Sequence, residues 1–558
     1  MTILVGRTDN KRAADLFYDL ALAMELQGER WRANSYYRAA KSIEELGEHL
    51  RSVSERGELR RIEGVGESIE AKLEEFLATG RIEALENVRD ILPEDLDLLR
   101  NIPGLGVRRI AEIEMLLGIR SVDELLRAAY EGKIAELPDF DEGVDRKVIE
   151  YLTWKREEAA EVPTPYAIRS AKHIIDYLQG SPGLIRLELS GPARRKASSV
   201  ANITLLFTAT EPDGIIARFG LCPEVTELII VEKEQAVGKT TSGAACMVRA
   251  VREESFGLDL LKSTGPDAHI RSLGKLAKER GLRLTAARLG KDRARTEQAI
   301  YDALGMEPVR PEWRGFPPCE CVVLPEELRG DLHLRCVSFD GGLRVLEMAS
   351  AAHDLGHRYV CFCDRLGGRY MDPEALERRN ILIDEAADLL GIPILKGAEV
   401  DITPDGRLDF PTEHLERLDL VIGSVNARLN MDSKAMTSRV LTAMEDPNMD
   451  VFGHPSGRIL GLRESIRSDM DRIAEAACDR KVALEVNAYP DRLDLDAESI
   501  RAIGDTKNMF SLGTDAAFPS ELTYWEWAAN MAMGACLPPS RVLNTLSAEQ
   551  LRGRRWRK

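Results

Sequence analysis

Apolar side chains recur three and four positions apart through NKRAADLFYDLALAMEL (10–26) and RANSYYRAAKSIEEL (32–46), and each run predicts an amphipathic helix. A second pattern appears twice. Leu59–Gly80 reads LRRIEGVGESIEAKLEEFLATG and Leu99–Ile119 reads LRNIPGLGVRRIAEIEMLLGI: an apolar residue, a Gly-apolar-Gly turn, then a helix. A third copy is expected at Leu137–Leu152, with Asp139 and Asp141 in place of the glycines. Pro163 and Pro165 mark a boundary, after which the runs IRLEL, ITLLF and TELIIVE predict short strands between helices. Pro311–Pro318 is a proline-rich connector. From Val322 onward YVCFC, PILKGAEV, DLVIGSV, DVFGH, ALEVN and FSLGTDA alternate with helical stretches. That rhythm predicts a parallel α/β barrel or wound sheet, with functional residues at the C-terminal ends of its strands. The expected domains are 1–90, 91–160, 161–315 and 316–558, the last ending in the basic tail RGRRWRK.

Composition changes the picture in three places. A chain of 558 residues is too long for one hydrophobic core, so three or four domains are expected. No apolar run approaches the ~20 residues of a membrane span, so no membrane partner and a cytoplasmic location are expected. Nine cysteines are too sparse for a disulfide framework and suit a reducing compartment. The net charge of −17 argues against indiscriminate coating of DNA, but phosphate binding depends on local patches that a whole-chain sum does not report.

The repeated turns, Gly64-Val65-Gly66 and Gly104-Leu105-Gly106, have a physical purpose. Glycine permits positive φ and close backbone approach, so successive N–H groups can face outward where a helix begins. The helix dipole adds positive potential at that point. Lys72 after the first turn and Arg108 and Arg109 after the second supply cations. The arrangement reads phosphate and ignores bases; the plainer alternative is a pair of ordinary tight turns between packed helices. The motif resembles the helix-hairpin-helix family of DNA-binding elements, which implies duplex or gapped DNA as a sequence-independent partner. The third copy carries aspartates where phosphate would sit and is expected to be structural only.

GPARRKASSVANIT (191–204), SGAACMVRAVREESFG (242–257) and STGPDAH (263–269) resemble in order and spacing the palm of X-family DNA polymerases. The resemblance implies a nucleotidyltransferase-like palm, with three aspartates holding two Mg²⁺ ions. At those positions this chain has Asn202, Thr204 and Met247, and prolines (Pro192, Pro266) stand where the family has serines. The windows 189–210 and 235–252 contain no Asp or Glu, in a chain where 93 of 558 residues are acidic. Mg²⁺ requires hard anionic oxygens, so Mg²⁺ binding at the palm and templated nucleotide addition are not expected. Arg194, Arg195 and Lys196 are either weak phosphate contacts or a solvated charge run. Some relatives form a Schiff base through a helical lysine; here Lys41 is the one lysine of that helix and Glu45 falls nearer the expected spot, so lyase activity is not expected.

GDLHLRCVSFDGG (330–342) and the later EVNAYPDRLDL (485–495) resemble the PHP family of metal-dependent phosphoesterases, which implies a distorted TIM-like α/β barrel. Of the nine ligands that the resemblance implies, this chain keeps His333, Asp340, Glu399, His454 and Asp515 and has Arg335, Arg365, Asn426 and Ala517 at the others. Arginine keeps its charge at working pH and cannot become a ligand. Three outcomes follow: arginines paired with Glu399 or Asp515 in a metal-free core, a single Zn²⁺, Mn²⁺ or Fe²⁺ on the surviving ligands, or an active phosphoesterase. Cys319, Cys321, Cys336, Cys361 and Cys363 are read as small packed residues, with softer metal ligation as the alternative. Taken together, the resemblance implies a multidomain α+β protein of the X-family polymerase class with a C-terminal PHP domain. The function expected is DNA-binding and repair-associated, with repair proteins as further partners and polymerase catalysis lost. The alternatives are a single-metal nuclease or phosphoesterase, and a conventional gap-filling polymerase.

Overall fold

The computed structural model describes residues 2–93, 95–138, 140–141, 143–158, 162–314, 319, 321–336, 344–367, 370–504, 506–552 and 556. They group into two compact units. One is built from the residues up to Tyr151 together with Asn426–Asn430, and the other from the remainder.

The first unit is helical. Helices α1 (Thr2–Leu26) and α2 (Arg30–Glu44) pack together, burying Phe17, Leu20, Ala21, Ala40 and Ile43 along the stripe that the three-and-four spacing predicts. The two glycine turns open α3 (Glu67–Thr79) and α4 (Val107–Leu117). Helix α5 (Val144–Glu158) occupies the expected third copy. There the Asp145 carboxylate accepts hydrogen bonds from the backbone N–H groups of Ile134 and Ala135, at 3.1 and 3.0 Å, so it acts as a local cap. Asp139 lies outside the described residues.

The second unit begins with α6 (Thr164–Gln179), which covers one face of a five-stranded sheet. The strands are β1 (Leu184–Ser190), β2 (Asn202–Ala209), β3 (Val225–Val231), β4 (Gln235–Thr240) and β5 (Ala245–Ala250), in spatial order β1-β2-β5-β4-β3. Only β2 and β5 run parallel. Ile174, Leu178, Ile203, Leu205, Phe207 and Val248 form the core between helix and sheet. Helices α7 (Phe256–Thr264), α8 (Asp267–Glu279) and α9 (Glu297–Ala303) follow as a separate cluster around Leu261, Leu273, Ile300 and Tyr301.

The rest of the second unit is a parallel sheet: β6 (Gly330–Leu334), β7 (Tyr359–Phe362), β8 (Arg365–Leu366), β9 (Ile394–Asp401), β10 (Leu420–Ser424), β11 (Val451–Gly453), β12 (Ala483–Asn487) and β13 (Phe510–Gly513). Its order is β13-β12-β11-β10-β9-β7-β6, with β8 also paired to β9. The backbone then closes most of a ring. Asp515 N–H donates to the His333 carbonyl at 2.8 Å, and Arg335 N–H donates to the Ala516 carbonyl at 2.8 Å. The expected choice between barrel and wound sheet is thus decided for a nearly closed barrel. Its strands are buried along most of their length, as parallel strands covered on both faces must be. Of the cysteines read as small packed residues, Cys319 is instead joined to Cys536 as a disulfide, their Cα atoms 5.7 Å apart, and Cys321 is exposed. Cys336, Cys361 and Cys363 are buried free thiols.

Candidate functional site

The two glycine turns have the same backbone. Gly64 and Gly104 take φ of 82° and 88°, a region that a side chain would strain. Val65 N–H donates to the Ile62 carbonyl at 3.1 Å and Leu105 N–H to the Ile102 carbonyl at 3.0 Å. Gly66 and Gly106 are extended and stand at the N-caps of α3 and α4. The Val65 and Leu105 side chains are buried, so only their backbones could meet a ligand.

Their surroundings differ. The first turn of α3 carries Glu67 and Glu70, and Arg60 is held by Glu70 at 2.5 Å. Lys72 folds back onto Ser68, with its Nζ 3.0 Å from Oγ. A Cβ on Gly64 would also meet the α2 backbone, 3.1 Å from the Ala39 nitrogen. The second turn is open: nothing lies within 4 Å of a Cβ built on Gly104 or Gly106. The first turn of α4 has no acid; it carries Arg108 and Arg109. Arg108 donates to Asn34 Oδ1 at 3.0 Å and lies 4.8 Å from the Tyr37 ring centre, while Arg109 donates to the Gly104 carbonyl at 3.1 Å.

In the palm-like sheet, β2 and β5 set Thr204 directly beside Met247, with Asn202 two residues earlier on β2 and exposed. The three positions singled out from sequence therefore lie together on two adjacent parallel strands. The basic run beside them is engaged internally. Arg194 forms a forked pair with Glu297 of α9, at 3.0 and 2.8 Å, and donates to Thr264 Oγ1 at 3.1 Å. Arg195 donates to the Thr264 carbonyl, and burial pulls its pKa down. The Lys196 Nζ lies 5.9 Å from the Trp527 ring centre. Glu297 also accepts from Arg314 at 2.9 Å, and although burial opposes its charge, the two guanidinium groups hold its pKa below the usual carboxylate range. Sequence reading missed Glu297 because it stands about a hundred residues from its partner. Its carboxylate is committed to two arginines, and Thr204 and Met247 offer no anionic oxygen. The residues present do not fit a two-Mg²⁺ site.

At the barrel, strand ends bring His333, Glu399, His454 and Asp515 together, all buried. His333 Nε2 is 3.7 Å from Asp515 and 4.0 Å from Glu399, and His454 Nε2 is 3.2 Å from Glu399. The carboxylates, however, already have a cation. Arg335 Nε lies 2.6 Å from Asp515 Oδ1 and its Nη2 lies 3.3 Å from Glu399 Oε2. Arg365 pairs with Asp401 at 3.1 Å, a partner that the sequence reading did not name. Glu485, also missed, holds His333 Nδ1 at 2.5 Å. Burial works against charge on His333, but Glu485, Asp515 and Glu399 outweigh it and raise its pKa to about 10. Burial likewise opposes ionisation of Glu399, yet His454 and Arg335 hold its pKa well below the usual range. Asn426 and Ala517 are buried, and the Ala517 N–H donates to Glu521 at 2.8 Å. Asp340 lies outside the described residues. Among the described residues no three His, Cys, Asp or Glu side chains are arranged to hold a metal ion. A guanidinium stands between the two central carboxylates, so the residues present do not fit a metal cluster there.

No described helix is long and apolar enough to cross a membrane. The family pattern described as a helix-hairpin-helix domain matches residues 8–82, and that of the DNA polymerase beta thumb matches residues 259–315. The chain is 27% identical over 503 residues to a protein of Bacillus subtilis named DNA polymerase/3'-5' exonuclease PolX, covering 86% of this chain and 88% of that one. Over 212 residues it is 26% identical to a probable phosphatase of Caldanaerobacter subterraneus, covering 36% of this chain and 80% of that protein. A probable phosphatase of a Thermoanaerobacter species is 27% identical over 211 residues, covering 36% and 83%. The resemblance to X-family polymerases with a C-terminal PHP domain therefore holds for both the polymerase-like and the phosphatase-like parts of the chain.

Proposed function

We propose that this protein is a DNA-binding, repair-associated relative of the X-family polymerases that has given up nucleotide addition and metal-dependent phosphoester cleavage. It grips the backbone of duplex or gapped DNA without sequence preference, mainly through the second hairpin. There the open Gly104–Gly106 turn meets Arg108 and Arg109 with no acid in the first turn of the helix. The palm and barrel then serve for shape and for contacts with other repair proteins.

The observation that carries the loss of catalysis is the register of β2 against β5, with Thr204 beside Met247 where the family resemblance calls for carboxylates. Two divalent cations brought next to Arg194 and Arg195 without anionic ligands would face uncompensated repulsion. Primer extension on a gapped duplex, with Mg²⁺ and with Mn²⁺, tests the reading. No extension is expected; any extension by the wild-type protein overturns the reading, and extension that persists in the Thr204→Ala protein would also place catalysis elsewhere.

A second reading has one observation in its favour: His333, Glu399, His454 and Asp515 still converge. If Arg335 could swing aside, these side chains are of the types that bind one Zn²⁺, Mn²⁺ or Fe²⁺. Metal analysis of the purified protein separates the two. The first reading expects far less than one metal ion per chain, and stoichiometric metal with hydrolysis of a phosphomonoester would favour the second.

A further inference from the structure

The five-stranded sheet has two outer edges, and they differ. At β1, Arg186 and Glu188 form an ion pair at 2.5 Å, and the Arg186 guanidinium lies 4.2 Å from the Phe256 ring centre. Charged side chains of this kind keep an edge strand from pairing with another chain. At the other edge β3 pairs only with β4, so the N–H and C=O groups along its outer side have no neighbouring strand. Its last four residues, Leu228, Ile229, Ile230 and Val231, are apolar and each 43% to 61% exposed. A strand with one covered face hides every second side chain, whereas this run hides none. The register of β3 against β4 slips twice, which adds twist without covering the run.

An open backbone edge accepts another extended strand, which continues the ladder of hydrogen bonds. The charges at the ends of the run narrow the choice of strand. Glu227 precedes it, and Lys233 follows it in the turn between β3 and β4; both are exposed, and among the described residues neither is held in an ion pair. In an antiparallel pair of β3 strands with a twofold axis at Ile230, the two Ile230 side chains face each other and Ile229 faces Val231 of the second copy. Glu227 then faces Lys233 at both ends. A shift of one residue in either direction sets Glu227 against Glu232 or Glu234 instead, and like charges placed opposite are unfavourable. The strand is therefore complementary to itself in that register. Such pairing also stops at two copies, because it consumes the bare edge of both chains and leaves only the charged β1 edges.

We infer that β3 is a self-association edge: two copies of this chain pair antiparallel about Ile230, join their palm-like sheets into one continuous sheet and bury the apolar run between them. The inference stands apart from the DNA-binding reading, and neither needs the other.

Sedimentation velocity on the full chain, over a wide range of concentration, tests it. A reversible dimer is expected, at twice the 62.1 kDa of one chain. Ile230→Lys brings two ammonium groups face to face at the twofold axis and is expected to abolish the dimer; because Ile230 is exposed, the change removes no core packing. Lys233→Glu is expected to weaken self-association roughly tenfold by setting like charges opposite each other, and adding Glu227→Lys to the same chain is expected to restore most of the loss. Far-UV circular dichroism checks that each variant is folded. A wild-type chain that stays monomeric at every concentration overturns the inference and leaves the edge to a strand of another protein. A dimer that survives Ile230→Lys lies elsewhere on the molecule and overturns it too. If the charge exchange neither weakens nor restores the dimer, the register about Ile230 is overturned, and assemblies that grow beyond two copies overturn the closed twofold pairing.

Discussion

The palm-like sheet and the barrel both differ from the metal-ligand pattern that their resemblance implies, and they differ in opposite ways. The palm keeps its cations and lacks the acids: Thr204 and Met247 are uncharged, while Arg194 and Arg195 are retained and turned inward on Glu297 and Thr264. The barrel keeps its acids and adds a cation: Asp515 and Glu399 remain buried, and Arg335 lies between them. The difference follows from where the charges sit. Neutral residues at the palm positions leave no buried ion behind. Carboxylates deep in the barrel cannot stay charged without a counterion. Arg335 is such a counterion for Asp515 and Glu399, while Arg365 pairs with Asp401, which is partly exposed.

The sharpest way to break this comparison is to remove the substituted cation. Arg335→Leu removes the guanidinium that Asp515 and Glu399 share, both carboxylates being essentially inaccessible to solvent, and leaves His333 at 3.7 Å from one and 4.0 Å from the other. Breaking one side of a buried ion pair costs about 3–5 kcal/mol, and urea unfolding followed by far-UV circular dichroism should show a loss of that order. A loss below about 1 kcal/mol would mean that the carboxylates take up protons or water freely, and the barrel would not depend on its arginine.

The palm should respond less, and mainly to acid. Glu297 holds both Arg194 and Arg314, and its pKa lies below the ordinary value in the folded protein. A carboxylate depressed on folding adds stability that is fully present above its unfolded pKa, near about 4.3, and is lost as pH falls through the lower folded value. Glu297→Gln is expected to cost about 2 kcal/mol at neutral pH. It should also flatten the fall in melting temperature below about pH 4. A variant with an unchanged acid limb would show that the Arg194–Glu297–Arg314 contact contributes little.

How far the sequence foretold all this depends on the range of the contacts. Periodicity and the Gly-x-Gly spacing are local, so α2, the paired turns and the strand-helix alternation of the barrel were legible. Thr204 and Met247, singled out from separate motifs, lie side by side on β2 and β5. Partners were harder. Arg335 was expected on Glu399 or Asp515 and takes both, but Arg365 goes to Asp401. Glu297 and Glu485 were not foreseen, since each meets its partner across a sequence separation above a hundred residues that no local pattern encodes. The two hairpins looked alike in sequence. Only packing shows Gly64 pressed against α2 and Gly104 open, which is why a side chain at Gly106 probes the DNA contact more cleanly than one at Gly64.

The smallest expected effect is also the most specific to the palm. Thr204 is nearly buried beside Met247, and its backbone carbonyl accepts a hydrogen bond from Ser190 at 3.3 Å, a contact that does not involve its side chain. Thr204→Val keeps the shape and β-branching that suit a strand. If the position holds no metal and no nucleotide, stability should shift by less than about 1 kcal/mol, and DNA affinity should not move. A catalytic or nucleotide-binding hydroxyl would behave otherwise, with the variant losing nucleotide-dependent protection against thermal unfolding. Scanning fluorimetry with and without deoxynucleoside triphosphate and Mg²⁺ makes the distinction. A melting temperature that rises with nucleotide in the wild type and stays flat in Thr204→Val would return the palm to use as a nucleotide site, and the contrast with the barrel would then be one of degree.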